Sequence, residues 1–154
     1  MRRRRPEKRV ILPDTKYDDL QVAKFINYIM ESGKKGVAEK IFYGAMELIH
    51  KKTKTDGIKI FKKGIENTSP SVEVKSRRIG GATYQVPIEV PKKRAFYLAS
   101  LWVINASSNS SGKPMAEKLA SELIAAANGD GNAIKKKEDT HRMADANKAF
   151  AHFR

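Results

Sequence analysis

A chain of 154 residues with 40% hydrophobic content can bury the core of one domain and does not have the composition of a disordered basic tail. Lysine and arginine number 31 against 17 acidic residues, a net charge of +14 that repels itself in isolation and calls for a polyanionic partner, whose phosphates release counterions when neutralised. The absence of cysteine excludes disulfides, a thiolate nucleophile and cysteine-ligated zinc, and no apolar run approaches the roughly 20 residues that span a bilayer.

Residues 1–9 carry Arg2, Arg3, Arg4, Arg5, Lys8 and Arg9 against the single acid Glu7. Like charges at this density repel, so residues 1–17 read as a basic arm that orders on phosphate. No apolar core follows the arginines, so no secretory signal is expected. From Asp18 or Asp19 the period turns helical, with Val22, Phe25, Ile26 and Ile29 on one face and Ser32-Gly33 as the stop. A second helix is predicted from Lys35 to Lys52, with the stripe Val37, Ile41, Ala45, Leu48 and Ile49 and with Phe42 and Met46 beside it. A third starts at Asp56 as N-cap, runs through Ile58, Phe61 and Ile65, and is closed by Pro70.

The period then changes to two. Residues 71–79 and 84–90 alternate around Gly80-Gly81, which predicts a β-hairpin arm over 71–90. Two strands alone are marginal in water, so the arm should be rooted on helices through Val72, Val74, Ile88 and Val90, with its tip projecting. Pro87 cannot donate to a ladder and requires an edge. Pro91 opens a fourth helix in which Phe96, Leu98, Ala99, Leu101, Trp102 and Ile104 are apolar nearly all round, so it reads as the central buried helix. Residues 105–112 read as a polar loop. A fifth helix from Pro114 buries Met115, Leu119, Leu123 and Ala126. After the turn Asn128-Gly129-Asp130-Gly131, a sixth helix from Asn132 runs almost to the end. The predicted fold is a single mainly α domain over 1–154. It has about six helices, a protruding two-stranded β-hairpin arm between helices three and four, and a basic N-terminal extension.

Catalytic patterns are not found. His50, His141 and His152 have no metal-ligand spacing, so no metal is expected. No Gly-x-Ser-x-Gly elbow occurs, and Gly33-Lys34-Lys35-Gly36 lacks the rest of a phosphate loop. The reading is of a non-enzyme with no cofactor, no small-molecule substrate and no membrane partner. The basic residues instead cluster four times: residues 2–9, Lys34-Lys35, Lys75 with Arg77 and Arg78, and Lys135 to Arg142. A solvated helix face explains any one cluster, but two occupy arms that would extend toward a partner. Tyr28, Tyr84 and Phe153 are equally readable as base-stacking or as packing residues. An architectural DNA-binding protein with a basic β-arm is the competing reading. Such proteins wedge a proline at the arm tip, whereas here the tip is Gly80-Gly81 and Pro87 lies well down the strand.

The segment Ser76-Arg77-Arg78-Ile79-Gly80-Gly81-Ala82-Thr83-Tyr84-Gln85-Val86-Pro87 resembles the hairpin of the bacterial-type small-subunit ribosomal protein S-seven family. Phe25-Ile26-Asn27, Gly33-Lys34-Lys35 and Ile41-Phe42-Tyr43 are similar to its early helices. Lys135-Lys136-Lys137-Glu138-Asp139 and His141-Arg142-Met143-Ala144-Asp145-Ala146-Asn147-Lys148-Ala149-Phe150-Ala151-His152 are similar to its C-terminal run. The resemblance covers essentially the whole chain. It implies six helices with a protruding ribbon, and direct binding to the 3′ major domain of small-subunit (16S) rRNA. It also implies nucleation of the head of the 30S subunit. The expected position is the subunit interface near the decoding centre, with exit-site tRNA and mRNA nearby, the ninth and eleventh small-subunit proteins as neighbours, and a cytoplasmic ribosomal location.

The RNA-binding candidates are therefore Arg2, Arg3, Arg4, Arg5, Lys8, Arg9, Lys34, Lys35, Lys75, Arg77, Arg78, Lys113, Lys135, Lys136, Lys137 and Arg142, with Ile79, Gly80, Gly81 and Ala82 as a tRNA-proximal ribbon tip. Val72 and Trp102 are expected to support the scaffold. The family's loop after helix four is usually rich in lysine and arginine. Here residues 106–112 are uncharged, so Lys113 is the one cation expected to meet phosphate from that loop.

Overall fold

A computed structural model describes residue 7 and residues 9–153, and of Phe153 the backbone alone. Six helices, α1 (Leu20–Ile29), α2 (Lys35–Thr53), α3 (Gly57–Thr68), α4 (Lys92–Asn109), α5 (Met115–Ala127) and α6 (Asn132–Ala146), are joined by one antiparallel ribbon, β1 (Val72–Ile79) and β2 (Ala82–Glu89), between α3 and α4. A 3-10 helix, Lys148–Phe153, follows α6. The mainly α architecture with a hairpin between helices three and four is thus observed. The chain divides into two compact units inside α2, after Glu39.

In the first unit a turn precedes α1. The buried Asp14 carboxylate accepts from the backbone N–H groups of Lys16 and Tyr17 at 3.1 and 3.0 Å. Asp19 then caps α1, accepting from the Gln21 N–H at 2.7 Å, which satisfies one of the donors a helix start leaves orphaned. Val22, Phe25, Ile26 and Ile29 are buried as their spacing predicts. The helix ends earlier than expected, at Met30, whose N–H still reaches the Ile26 carbonyl. Ser32 and Gly33 adopt left-handed backbone in the turn that follows, so the glycine serves the connection rather than the helix end.

In the second unit, the buried face of α2 comprises Phe42, Ala45, Met46 and Ile49, while Ile41 and Leu48 are only half-buried. The expected stripe is therefore rotated by about one residue; Val37 is also exposed. Two aromatic rings decide the phase: Phe42 packs edge-on against Phe61 of α3 at 5.3 Å, and neither is exposed. Asp56 caps α3 as predicted, accepting from the Ile58 N–H at 3.1 Å. Asn67 near the end of α3 donates to the Ala126 and Ala127 carbonyls at 3.0 and 3.1 Å, satisfying the C-terminal end of α5.

Helix α4 packs against α3, α5 and α6, so its central place is observed, but its buried stripe is not the one expected. Ala95, Ala99, Ser100, Val103 and Ser107 face inward, and Phe96, Leu98, Leu101, Trp102 and Ile104 are half-buried. Small residues let neighbouring helices approach, which pushes the large ones to the flanks. The buried hydroxyls of Ser100 and Ser107 donate to the Phe96 and Val103 carbonyls at 2.7 and 2.8 Å, so they lie inside at little cost. Residues 105–109, expected as loop, continue α4: the buried stripe of small residues runs on to Ser107, so packing holds the helix to Asn109, while the Ser107 hydroxyl is satisfied by the Val103 carbonyl. Leu119, Leu123 and Ala126 are buried in α5 as expected, while Met115 is half-buried. Helix α6 stops at Ala146 rather than running on, and the chain re-forms as a 3-10 helix after Asn147.

The ribbon register runs from Val72↔Glu89 to Ile79↔Ala82. Gly80 and Gly81 have φ of +57° and +90°, the two positive values a two-residue hairpin turn needs. The root differs from expectation. Val86 and Pro87 are the buried residues of β2, while Val72, Val74, Ile88 and Val90 are half-buried. Successive strand residues point to opposite faces, so burial at both 86 and 87 means the root is covered on both sides. Helix α6 lies along β1 and the 3-10 helix along β2, which supplies the cover.

Candidate nucleic-acid interface

The ribbon divides by burial into a root and an outer half. At the root, Glu73 is nearly enclosed and its carboxylate takes Lys75 Nζ at 3.3 Å and Arg94 Nη2 at 3.2 Å. Lys75 is therefore occupied within the protein. The outer half, residues 76–83, is exposed throughout. Arg77 stands opposite Tyr84 and Arg78 opposite Thr83, so the two guanidinium groups leave the ribbon on opposite faces. Among the described residues neither has a carboxylate within 4.0 Å. Tyr84 does not project freely: its ring packs on Phe150 of the 3-10 helix at 5.3 Å. Ile79, Gly80, Gly81 and Ala82 form the exposed tip.

On α6 the three consecutive lysines diverge. Lys135 and Lys136 are exposed and have no ion-pair partner among the described residues. Lys137 turns inward and donates to the Asn67 carbonyl at 2.6 Å, tying α6 to the end of α3. Arg142 is exposed and lies 3.6 Å from Asp139, a loose surface pair. Lys113 is exposed between α4 and α5. In the first unit Lys34 and Lys35 are exposed at the entrance to α2, with Lys35 at 3.9 Å from Glu39, and Arg9 is exposed. Arg2, Arg3, Arg4, Arg5, Lys8 and the Phe153 side chain lie outside what the structure describes. Tyr28 is half-buried on α1.

The histidines make local links. His141 Nε2 accepts from the Ser71 N–H at 3.2 Å at the base of the ribbon, and His50 and His152 pair with the Thr55 and Ala149 carbonyls. Among the described residues no three histidine or carboxylate side chains gather as metal ligands, and no helix is long and apolar enough to cross a membrane.

Sequence reasoning passes over Lys92 and Lys93. With Arg94 they form a first turn of α4 that contains no acid. Cations are disfavoured there by the positive end of the helix dipole. Glu73 offsets Arg94 alone, so Lys92 and Lys93 stand exposed beside the ribbon root. Three cations directly after a helix-opening proline were the available signal.

The family model described as ribosomal protein S7p/S5e matches residues 1–148. The chain belongs to the ribosomal protein S7p/S5e family. It is 58% identical over 153 residues to the small ribosomal subunit protein uS7 of Gemmatimonas aurantiaca, covering 99% of this chain and 98% of that one. Against the protein of the same name from Thermotoga maritima it is 57% identical over 154 residues, covering 100% and 99%. The S7p/S5e proteins are structural components of the ribosome rather than enzymes, which agrees with the lack of catalytic patterns in the sequence.

Proposed function

We propose that this chain is a primary rRNA-binding protein of the small subunit, which binds the 3′ major domain of 16S rRNA and nucleates assembly of the subunit head. In this reading it lies at the subunit interface near the decoding centre of cytoplasmic ribosomes. The ribbon tip borders exit-site tRNA and the message passes nearby, with the ninth and eleventh small-subunit proteins as neighbours. The observation that carries the reading is the outer ribbon: a rigidly rooted, exposed arm with Arg77 and Arg78 on opposite faces and no internal partner for either among the described residues. Lys92 and Lys93 extend the same chemistry beside its root, and Lys135 and Lys136 add exposed cations on the first half of α6.

A-form RNA hides its deep groove from side chains, so recognition falls to shape and phosphate position. Cations without internal partners suit this role, because each phosphate they neutralise releases condensed counterion. If about eight phosphates are engaged, log affinity falls with log salt at a slope of roughly −6 to −7. Chemical footprinting of small-subunit rRNA with and without the purified chain tests the proposal. Protection confined to the 3′ major domain is expected. Scattered protection, or equal affinity for duplex DNA in a filter-binding competition, overturns it.

A further inference from the structure

Helix α4 has a second feature, on the flank away from its buried stripe. Trp102, Asn105, Ala106 and Asn109 recur at three and four residues and so share one face. Asn132 and Lys136, one turn apart on α6, stand opposite. Together these side chains line a hollow of about 300 Å³. That is the lower end of the size range of small-ligand sites, roughly 300–1,000 Å³. No carboxylate is in the lining. Among the described residues the indole N–H, the three carboxamides and the Lys136 ammonium have no hydrogen-bond partner, so their donors and acceptors remain available in one place.

The chemistry of this set is selective. An indole offers a flat apolar surface with one donor. A carboxamide offers a donor and an acceptor side by side, the pattern that matches the edge of a nucleobase. An ammonium supplies a point charge for a phosphate. We propose that the hollow between α4 and α6 takes one unpaired nucleotide of the bound rRNA, its base against Trp102, its edge read by Asn105, Asn109 and Asn132, and its phosphate met by Lys136. This rests on the rRNA-binding reading and adds a contact with a base to contacts that are otherwise with phosphate. It also gives a role to residues 105–109, which carry no positive charge.

The chain has one tryptophan, so indole emission reports this hollow alone. The full chain is titrated with a folded transcript of the 3′ major domain, and binding is followed in parallel by filter retention. Emission should be quenched about twofold or more, with the same midpoint as binding. The double variant Asn105→Leu/Asn109→Leu alters exposed side chains without hydrogen bonds and should retain the parent's circular dichroism. It should bind about tenfold more weakly, the scale of one lost base contact, with an unchanged salt slope because no counterion is involved. Lys136→Ala should flatten that slope by about 1. Binding with unchanged emission, a double variant that binds as tightly as the parent, or a loss accompanied by a flatter slope in the double variant overturns the nucleotide site and leaves rRNA binding standing. Failure of the parent chain to bind the transcript overturns both.

Discussion

In the root half of the ribbon Lys75 and Arg94 close on Glu73 at 3.3 and 3.2 Å, whereas Arg77 and Arg78 further out have no carboxylate in reach among the described residues. The two halves belong to the same pair of strands and carry the same kind of charge. They differ in what surrounds them. Val86 and Pro87 are buried at the root, so charge there must be matched locally. Residues 76–83 are in water, so charge there needs no partner in the protein. A count of cations along the sequence treats Lys75 and Arg77 alike; the fold uses the first for its own support and leaves the second exposed, with no carboxylate partner among the described residues. Helix α6 repeats the contrast within one turn, with Lys137 bound to Asn67 and Lys136 exposed.

This division can be broken by experiment. The largest stability effect is expected at the root, where Val86→Ala should cost about 2 kcal/mol in denaturant unfolding, since Val86 is wholly buried. A neutral result would mean the root is not packed as described. Glu73→Gln should cost about 1–2 kcal/mol, because a charge-assisted contact to Arg94 is lost while both cations remain partly hydrated. Gly81→Val should cost about 1 kcal/mol or more through strain at φ of +90°, with nothing nearby to clash, and thermal melts should resolve it. Lys137→Ala should lower stability by about 1 kcal/mol and Lys136→Ala by almost nothing, which paired melts would separate. Arg77→Ala/Arg78→Ala should likewise stay within about 0.5 kcal/mol of the parent. Yet that pair should flatten the salt dependence of rRNA binding by about 2. A destabilised double variant, or an unchanged slope, would erase the distinction between root and tip.

The sequence alone determined the features that depend on near neighbours. Asp56 announced a helix start because a carboxylate caps an N–H group two residues on, and the start of α1 was placed at Asp18 or Asp19, of which Asp19 is the cap. Gly80-Gly81 between alternating runs announced the ribbon and its turn, since glycine accepts the two positive φ values such a turn needs. The cation clusters were visible as composition, and the motifs of the hairpin and the C-terminal run marked the family.

Tertiary structure decided what depends on residues far apart in the chain. The phase of α2 was set by the Phe42–Phe61 contact, and the extent of α4 by a stripe of alanine and serine that hydrophobic periodicity cannot see. Which lysines face inward was decided the same way: Lys137 meets a carbonyl 70 positions away, and Glu73 meets Arg94 at a separation of 21. Periodicity reports which residues prefer to be buried. Only packing against a particular neighbour determines which of them are, and which charges remain for a partner.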